Sequence, residues 1–105
     1  MDTNEIRLEA LDLNQQGALL LKNGNITEAQ AKFDKAIELD PMVMESYKNY
    51  GDLCMETQKY SDAKNYYKKA LLIDKRGELY FLYGNACFMN DNPHEGIENY
   101  NLAIT

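Results

Sequence analysis

A repeat marked by three regularly spaced glycines is the feature that most constrains how this chain can fold. Gly17, Gly51 and Gly84 recur at nearly equal intervals, the second interval being one position shorter than the first. Counted from each glycine, a small residue comes after 12 positions, an aromatic after 16 and an alanine after 19. These residues are Ala29, Phe33 and Ala36, then Ala63, Tyr67 and Ala70, then Gly96, Tyr100 and Ala103. Self-similarity at a fixed period of about 34 residues is typical of repeat proteins.

Each unit is predicted to contain two helices joined by a short turn. Leu8, Leu11 and Leu19 recur at helical spacing and predict the apolar face of the first helix. Turn residues then follow at Asn23-Gly24-Asn25, Gln58-Lys59 and Asn90-Asp91-Asn92-Pro93. Gly and Asn favour a left-handed helix end, and proline suits the first turn of the next helix.

The ends of the second helices are also marked. Thr27 and Ser61 lie near the predicted starts, where a side-chain oxygen can satisfy an unpaired amide. Asp40-Pro41 closes the first unit, because proline disfavours helix at the residue before it. The residue missing between Gly51 and Gly84 is predicted to lie in the connector 74–77, since loops tolerate deletions that packed helices do not.

Three further positions complete a resemblance to a known family. Aromatic or large residues stand four places and one place before the glycines, and a packing residue stands three places after. They are Leu13, Tyr47 and Tyr80; Gln16, Tyr50 and Tyr83; Leu20, Cys54 and Cys87. In this respect the sequence resembles the tetratricopeptide repeat, over roughly residues 10 to 104, although Lys75 replaces the closing proline in the second unit.

The resemblance implies an all-α fold: a right-handed superhelical stack of about three antiparallel helix-turn-helix hairpins. A single hairpin of this size cannot bury its own apolar face, so neighbours share a continuous core. We expect one domain over residues 1–105, with repeats at about 10–43, 44–76 and 77–105 and no capping helix after the third.

The resemblance also implies a concave groove, lined by the first helices, that binds a peptide. Carried over by position, the groove residues are Asn14, Ala18, Lys48, Asn49, Asp52, Met55, Phe81, Asn85 and Phe88. One subfamily clamps acidic chaperone tails with lysine, arginine and asparagine side chains. At its five positions this chain has Asn14, Ala18, Asn49, Glu78 and Leu82, of which only Asn49 matches. A chaperone-tail receptor is therefore not expected.

Charge and composition argue against several other functions. The net charge of −6 opposes binding to nucleic acid, which needs a basic footprint. The lysines of the second unit's back helix are interpreted as a solvated face. No apolar run approaches the length of a membrane span, and no export signal opens the chain, so a cytoplasmic location is expected.

The sequence shows no basis for catalysis or for a metal or cofactor. His94 is the only histidine and has no second ligand or nucleophile at useful spacing. Cys54 and Cys87 occupy a packing position and are predicted to be buried, reduced thiols. We therefore expect a non-enzymatic protein.

The predicted function is a scaffold that binds a protein or peptide segment, basic or apolar in character, in the concave groove. The alternative is a self-assembly module that forms a homodimer through its third hairpin. Phe81, Phe88 and Met89 fit either a binding patch or packing against a further helix, and both interpretations remain open.

Overall fold

The computed structural model describes residues 1–105 and contains helices only. The six helices are α1 (Thr3–Lys22), α2 (Ile26–Leu39), α3 (Met44–Glu56), α4 (Tyr60–Ile73), α5 (Gly77–Met89) and α6 (Pro93–Ala103). Consecutive helices pair as the hairpins α1–α2, α3–α4 and α5–α6, which stack in chain order. The predicted all-α stack of three hairpins is confirmed. None of the six helices has both the length and the apolarity needed to cross a bilayer.

The repeated glycines let the two helices of a hairpin approach closely. A Cβ atom added at Gly51 would lie 2.5 Å from the ring of Tyr67, which real Cβ atoms do not tolerate. Tyr67 and its counterpart Phe33 are fully enclosed. The glycine and the repeated aromatic that follows it are therefore two halves of one contact, which explains why their spacing is constant.

The turn inside each hairpin uses the same backbone conformation. Gly24, Gln58 and Asp91 have φ of 83°, 62° and 64°, and each lies seven residues after its repeat glycine. The next amide bonds back across the turn, as Asn25 N–H does to the Leu20 carbonyl at 2.9 Å. This is the left-handed helix end expected from the turn residues, although only the first hairpin has a glycine there to relieve the strain.

Thr27 and Ser61 lie near the helix starts as predicted, but the predicted capping by their side chains is wrong. Each is the second residue of its helix, and neither α2 nor α4 has a side-chain cap. The side-chain cap at a helix start belongs instead to Asp2, which accepts from the Glu5 amide at 2.8 Å. The predicted deletion is confirmed, because the connector between hairpins is 40–43 after α2 but only 74–76 after α4.

The predicted apolar face of α1 is wrong at two positions. Leu8 and Leu19 are 65% and 61% exposed, and the buried residues of α1 are Ala10, Leu13, Asn14 and Gly17. Leu19 corresponds to Leu53 and Ala86, which are buried where their helices pack on the preceding hairpin. In the first hairpin that surface meets solvent.

The core runs through the whole stack, but the last helix contributes little to it. Its largest cluster joins all three hairpins and consists of Ala29, Phe33, Tyr50, Leu53, Cys54, Ala63, Tyr67, Tyr83, Ala86 and Cys87. Helix α3 packs against both α1 and α2, whereas α5 packs chiefly against α4. Gly96 is the only fully buried residue of α6. Helix α6 is therefore the least enclosed helix of the molecule.

Candidate functional site

The first helices of the three hairpins line a groove formed by two adjoining cavities. The larger cavity, of about 520 Å³, lies between α1, α3 and α5. The smaller, of about 390 Å³, lies between α1 and α3. Ala18 and Asn49 line both, so the cavities form one continuous depression. Their other lining residues are Leu11, Asn14, Gln15, Leu21, Lys22, Glu45, Lys48, Asp52, Met55, Glu56, Tyr67, Leu82 and Asn85.

Seven of the nine predicted site residues come together in this groove, and two do not. Those that line it are Asn14, Ala18, Lys48, Asn49, Asp52, Met55 and Asn85. Phe81 and Phe88 line neither cavity. Their rings pack on Tyr100 of α6, with centroid distances of 5.5 Å and 5.2 Å. The resemblance placed them correctly on α5 but could not show that α6 draws them away from the groove.

Asn14 is a structural residue at the floor of the groove. It is buried, and its amide donates to Ser46 Oγ at 2.8 Å and to the Ala10 carbonyl at 3.1 Å. Its oxygen accepts from Asn49 Nδ2 at 3.2 Å. Asn14 therefore joins the first two hairpins and orients Asn49. Asn49 presents an amide oxygen without a protein donor where the two cavities meet.

Asp52 is held by two donors. Tyr67 Oη donates to one carboxylate oxygen at 2.5 Å, and Lys48 Nζ lies 3.2 Å from the other. Burial and the neighbouring Asp52 carboxylate raise the pKa of Tyr67, which keeps its hydroxyl protonated as a donor. Asp52 therefore has a fixed orientation on the groove wall.

The pairing of Asp52 with Tyr67 was not predicted from the sequence, although the repeat carries a signal for it. In the third hairpin Tyr100 donates to Asn85, the counterpart of Asp52. In the first hairpin the two positions are Phe33 and Ala18, and neither has a polar group to pair. The aromatic residue therefore has a hydroxyl only in the hairpins where the position after the glycine holds an acceptor. Comparing these two positions across the three repeats would have revealed the contact.

The charges along the groove favour a cationic or neutral ligand. Glu45, Asp52 and Glu56 line the cavities together with only two lysines, Lys22 and Lys48. Lys48 is already shared between Asp52 and Glu78, whose carboxylate lies 3.9 Å away. Little positive charge therefore remains for an anion, because charges engaged in ion pairs offer little to a further partner.

A second polar cluster joins the second and third hairpins away from the groove. Lys64 Nζ lies 2.7 Å from Glu95 Oε1 and donates to Asn92 at 2.9 Å, while Tyr83 Oη donates to Glu95 Oε2 at 2.8 Å. The hydrogen bonds from Lys64 and Tyr83 lower the pKa of Glu95. The lysines of α4 were interpreted as a solvated face, but one of them, Lys64, links the second hairpin to the third.

The remaining chemically reactive side chains show no site. Cys54 and Cys87 are free and buried, as predicted, and burial raises the pKa of the Cys87 thiol to about 11. His94 is exposed beside Pro93. No group of three or more metal-ligating side chains comes together.

The family assignment follows from both sequence and structure. The model of the tetratricopeptide repeat matches residues 10–42 and 44–76. The chain belongs to the tetratricopeptide repeat family, which is typically a non-enzymatic protein-interaction fold.

A relative in sequence covers part of the chain. A stretch of 44 residues is 46% identical to a protein SGT1 homolog of rice, Oryza sativa subsp. japonica. That stretch is 42% of this chain and only 12% of the rice protein. The likeness therefore concerns the repeats and not the whole rice protein.

Solved tetratricopeptide repeat domains have the same fold over nearly the whole chain. The second such domain of Spaghetti (RPAP3), bound to the HSP90 peptide SRMEEVD, has a TM-score of 0.89 at 17% identity and covers 99% of this chain and 97% of its own. The N-terminal domain of stress-induced protein-1 from C. elegans has a TM-score of 0.82 at 20% identity, with 99% and 87% covered. YrrB, a protein with an unusual peptide-binding site, has a TM-score of 0.84 at 25% identity, with 90% and 50% covered.

Proposed function

We propose that this protein is a non-enzymatic interaction scaffold that binds an extended peptide segment in the groove between α1, α3 and α5. The continuous depression that meets at Ala18 and Asn49 carries this proposal. It combines apolar walls at Leu21, Met55 and Leu82 with a few fixed polar groups, which is the usual character of a binding site. The peptide complex of the structurally similar Spaghetti domain supports the same use of the fold.

We propose further that the bound segment is neutral or basic. The SRMEEVD peptide bound by the Spaghetti domain has three acidic residues and one basic residue. In this chain the clamp positions hold Asn14, Ala18, Asn49, Glu78 and Leu82, and the Glu78 carboxylate lies beside Lys48. An acidic tail would meet repulsion where a clamp needs cations.

We propose as well that the chain forms one domain, with repeats at about 10–43, 44–76 and 77–105, and that it acts in the cytoplasm. Two unpaired thiols suit a reducing compartment. A homodimer through the third hairpin stays a prediction, and the charge of that hairpin, considered below, opposes it.

The groove can be tested with a matched pair of substitutions. Ala18→Gln fills the point where the two cavities meet, whereas Ala31→Gln places the same side chain on the exposed surface of α2. Both are neutral changes of an exposed helical alanine. Against an array of random peptides, we expect Ala18→Gln to weaken the best binders by about tenfold or more. Ala31→Gln should leave their affinity unchanged.

Two results would contradict the proposal. Equal loss in both variants, or none in either, would remove the groove as the binding site. Tighter binding of SRMEEVD than of SRMKKVK, in which the three acidic residues are replaced by lysine, would overturn the inference about charge while leaving the groove in place. Fluorescence anisotropy measures both affinities.

A further inference from the structure

The third hairpin presents an apolar surface to solvent on the side where the earlier hairpins carry their neighbours. We call it the open face, and it consists of Phe81 and Phe88 on α5 with Ile97, Tyr100 and Ile104 on or beside α6. Phe81, Phe88, Ile97 and Ile104 are 51%, 40%, 51% and 85% exposed. Tyr100 packs between the two phenylalanines. Ile97 and Ile104 stand three residues before and four residues after Tyr100, which places them on the same side of α6.

The repeat shows what covers this surface elsewhere in the molecule. Ile37 and Leu71, the counterparts of Ile104, are partly buried against the core where the next hairpin packs. Leu21 and Met55, the counterparts of Phe88, also pack on that core. In the first two hairpins the occupant of this surface is therefore the first helix of the next hairpin.

Two positions of the open face reverse the expected pattern of polarity. Phe81 corresponds to Asn14 and Lys48, and Ile97 corresponds to Gln30 and Lys64. Gln30 is exposed, but the other three counterparts lie at junctions between hairpins. Asn14 is buried, Lys48 lies 3.9 Å from Glu78 and Lys64 lies 2.7 Å from Glu95. A face that met only water would be more polar than the covered junctions, not less. Large exposed apolar patches mark interaction sites.

The charge around the open face indicates the sign of its partner. Residues 77–105 include Glu78, Asp91, Glu95 and Glu98 but no lysine or arginine. Glu78 and Glu95 face lysines of the second hairpin, so Asp91 and Glu98 are the acidic residues that have no ion-pair partner. A second copy would bring two such acidic hairpins together, and like charges oppose association. A basic partner gains attraction instead.

The helices that already cover the equivalent surfaces indicate the partner's shape. Helix α5 packs on the second hairpin through Leu79, Tyr83, Ala86 and Cys87, which are all buried. Their spacing is i, i+4, i+7 and i+8, one face of a single helix. We propose that the open face binds an amphipathic helix of a partner protein, with apolar residues at this spacing and lysine or arginine on its flanks.

The proposal is tested with a designed peptide and the intact chain. The probe is a helical peptide with Leu, Tyr, Ala and Ala at i, i+4, i+7 and i+8 and lysine at the flanking positions. A second peptide of the same composition has its apolar residues scrambled around the helix. Isothermal titration should show binding of the first peptide only, and amide chemical shifts should move on α5 and α6 rather than at Asn49 and Asp52.

Charge-matched variants of the protein locate the site. Phe81→Lys with Ile97→Lys restores the residues found in the second hairpin, and both positions are half exposed. Leu8→Lys with Leu19→Lys makes the same change on exposed leucines of the first hairpin. The first pair of substitutions should weaken the affinity for the probe peptide by about tenfold or more. The second should weaken it far less, because it adds charge without touching the patch.

Three outcomes would overturn the proposal. They are equal binding of the scrambled peptide, shifts confined to the groove, and a dimer in light scattering that dissociates on Phe81→Lys with Ile97→Lys. The last would make a second copy the occupant. Ala18→Gln should not affect the probe, which keeps this test separate from that of the groove.

Discussion

The outward faces of the first and third hairpins occupy opposite ends of one repeating structure and differ in chemistry. On the first hairpin Asp12 and Gln16 are exposed and bonded to each other, with Gln16 Nε2 donating to Asp12 Oδ2 at 2.8 Å. Their counterparts in the second hairpin, Ser46 and Tyr50, are buried. At these two positions polar residues replace the buried ones, whereas Leu19 stays apolar and exposed where its counterpart Leu53 is buried.

The third hairpin does the opposite. Phe81 and Ile97 stand where the covered second hairpin has Lys48 and Lys64. The first hairpin has therefore gained polar residues at two of its uncovered positions, whereas the third hairpin has gained apolar ones at two of its own. In a repeat protein, comparing equivalent positions reveals such a difference, which composition alone does not do.

The largest difference between the ends should appear when the repeated aromatic is removed. Phe33→Ala empties a fully enclosed site and should cost about 4 kcal/mol, within the range for large-to-small core changes. Tyr100→Ala, at the partly exposed third hairpin, should cost about half as much, since less packing is lost. Urea unfolding measures both, and equal costs would show that the third hairpin is as tightly packed as the first.

The two junctions between hairpins should also differ. Asn14→Ala leaves the fully buried Ser46 hydroxyl without its partner and should cost about 2 kcal/mol. Lys64→Ala removes a more accessible ion pair and should cost under about 1 kcal/mol. Gln15→Ala, an exposed neighbour of Asn14, is the control and should have little effect in the same unfolding experiment.

The second junction should be the more sensitive to acid. Because the folded state lowers the pKa of Glu95, the resulting stability is complete above the ordinary value of 4.5 and is lost as pH falls through the lower folded value. The partial exposure of Glu95 limits the effect to under about 1 kcal/mol. The difference in unfolding free energy between the native chain and Glu95→Gln should therefore shrink below pH 4.5. A constant difference would show that Lys64 and Tyr83 do not act through the carboxylate.

The smallest effect concerns the cap at the solvated end. Asp2→Ala removes the acceptor of the Glu5 amide and should speed its hydrogen exchange by a few fold, equivalent to about 0.5 kcal/mol. Thr27→Ala, inside the first turn of α2, should leave exchange there unchanged or slower, because alanine is the better helix former. Faster hydrogen exchange in the first turn of α2 in Thr27→Ala would show that Thr27 caps this helix, as the sequence predicts.

Most of the fold could be predicted because the repeat encodes local geometry three times. Each repeat glycine and the aromatic at a constant distance after it mark a single close contact, and the deletion could lie only in a connector. The prediction of caps at Thr27 and Ser61 was wrong because the packing of each hairpin fixes where its helices begin. A residue type that is favourable near a helix start does not set the exact first residue. Leu8 and Leu19 failed because helical spacing does not show which side of a helix another hairpin covers.

The groove was predicted less completely than the fold. A position carried over by resemblance predicts on which helix a residue lies and which side of that helix it faces. That was enough to predict that Ala18, Asn49 and Asp52 line one groove. Such a position does not give the contacts of the side chain. Asn14 is occupied with Ser46, and Phe81 and Phe88 pack on Tyr100, because their surroundings depend on neighbours from other helices.

The two enclosed thiols can report how often each part of the protein opens. Cys54 lies in the core with Phe33 of the first hairpin, and Cys87 is fully buried where α5 meets the second. A protonated, enclosed thiol does not react with an alkylating reagent, so each cysteine is modified only when its surroundings open. Because α6 encloses so little, the third hairpin should open most often, and Cys87 should be alkylated before Cys54. A helix bound to the open face would slow the alkylation of Cys87 but not that of Cys54. The alkylation rate of Cys87 would therefore report whether the open face is occupied.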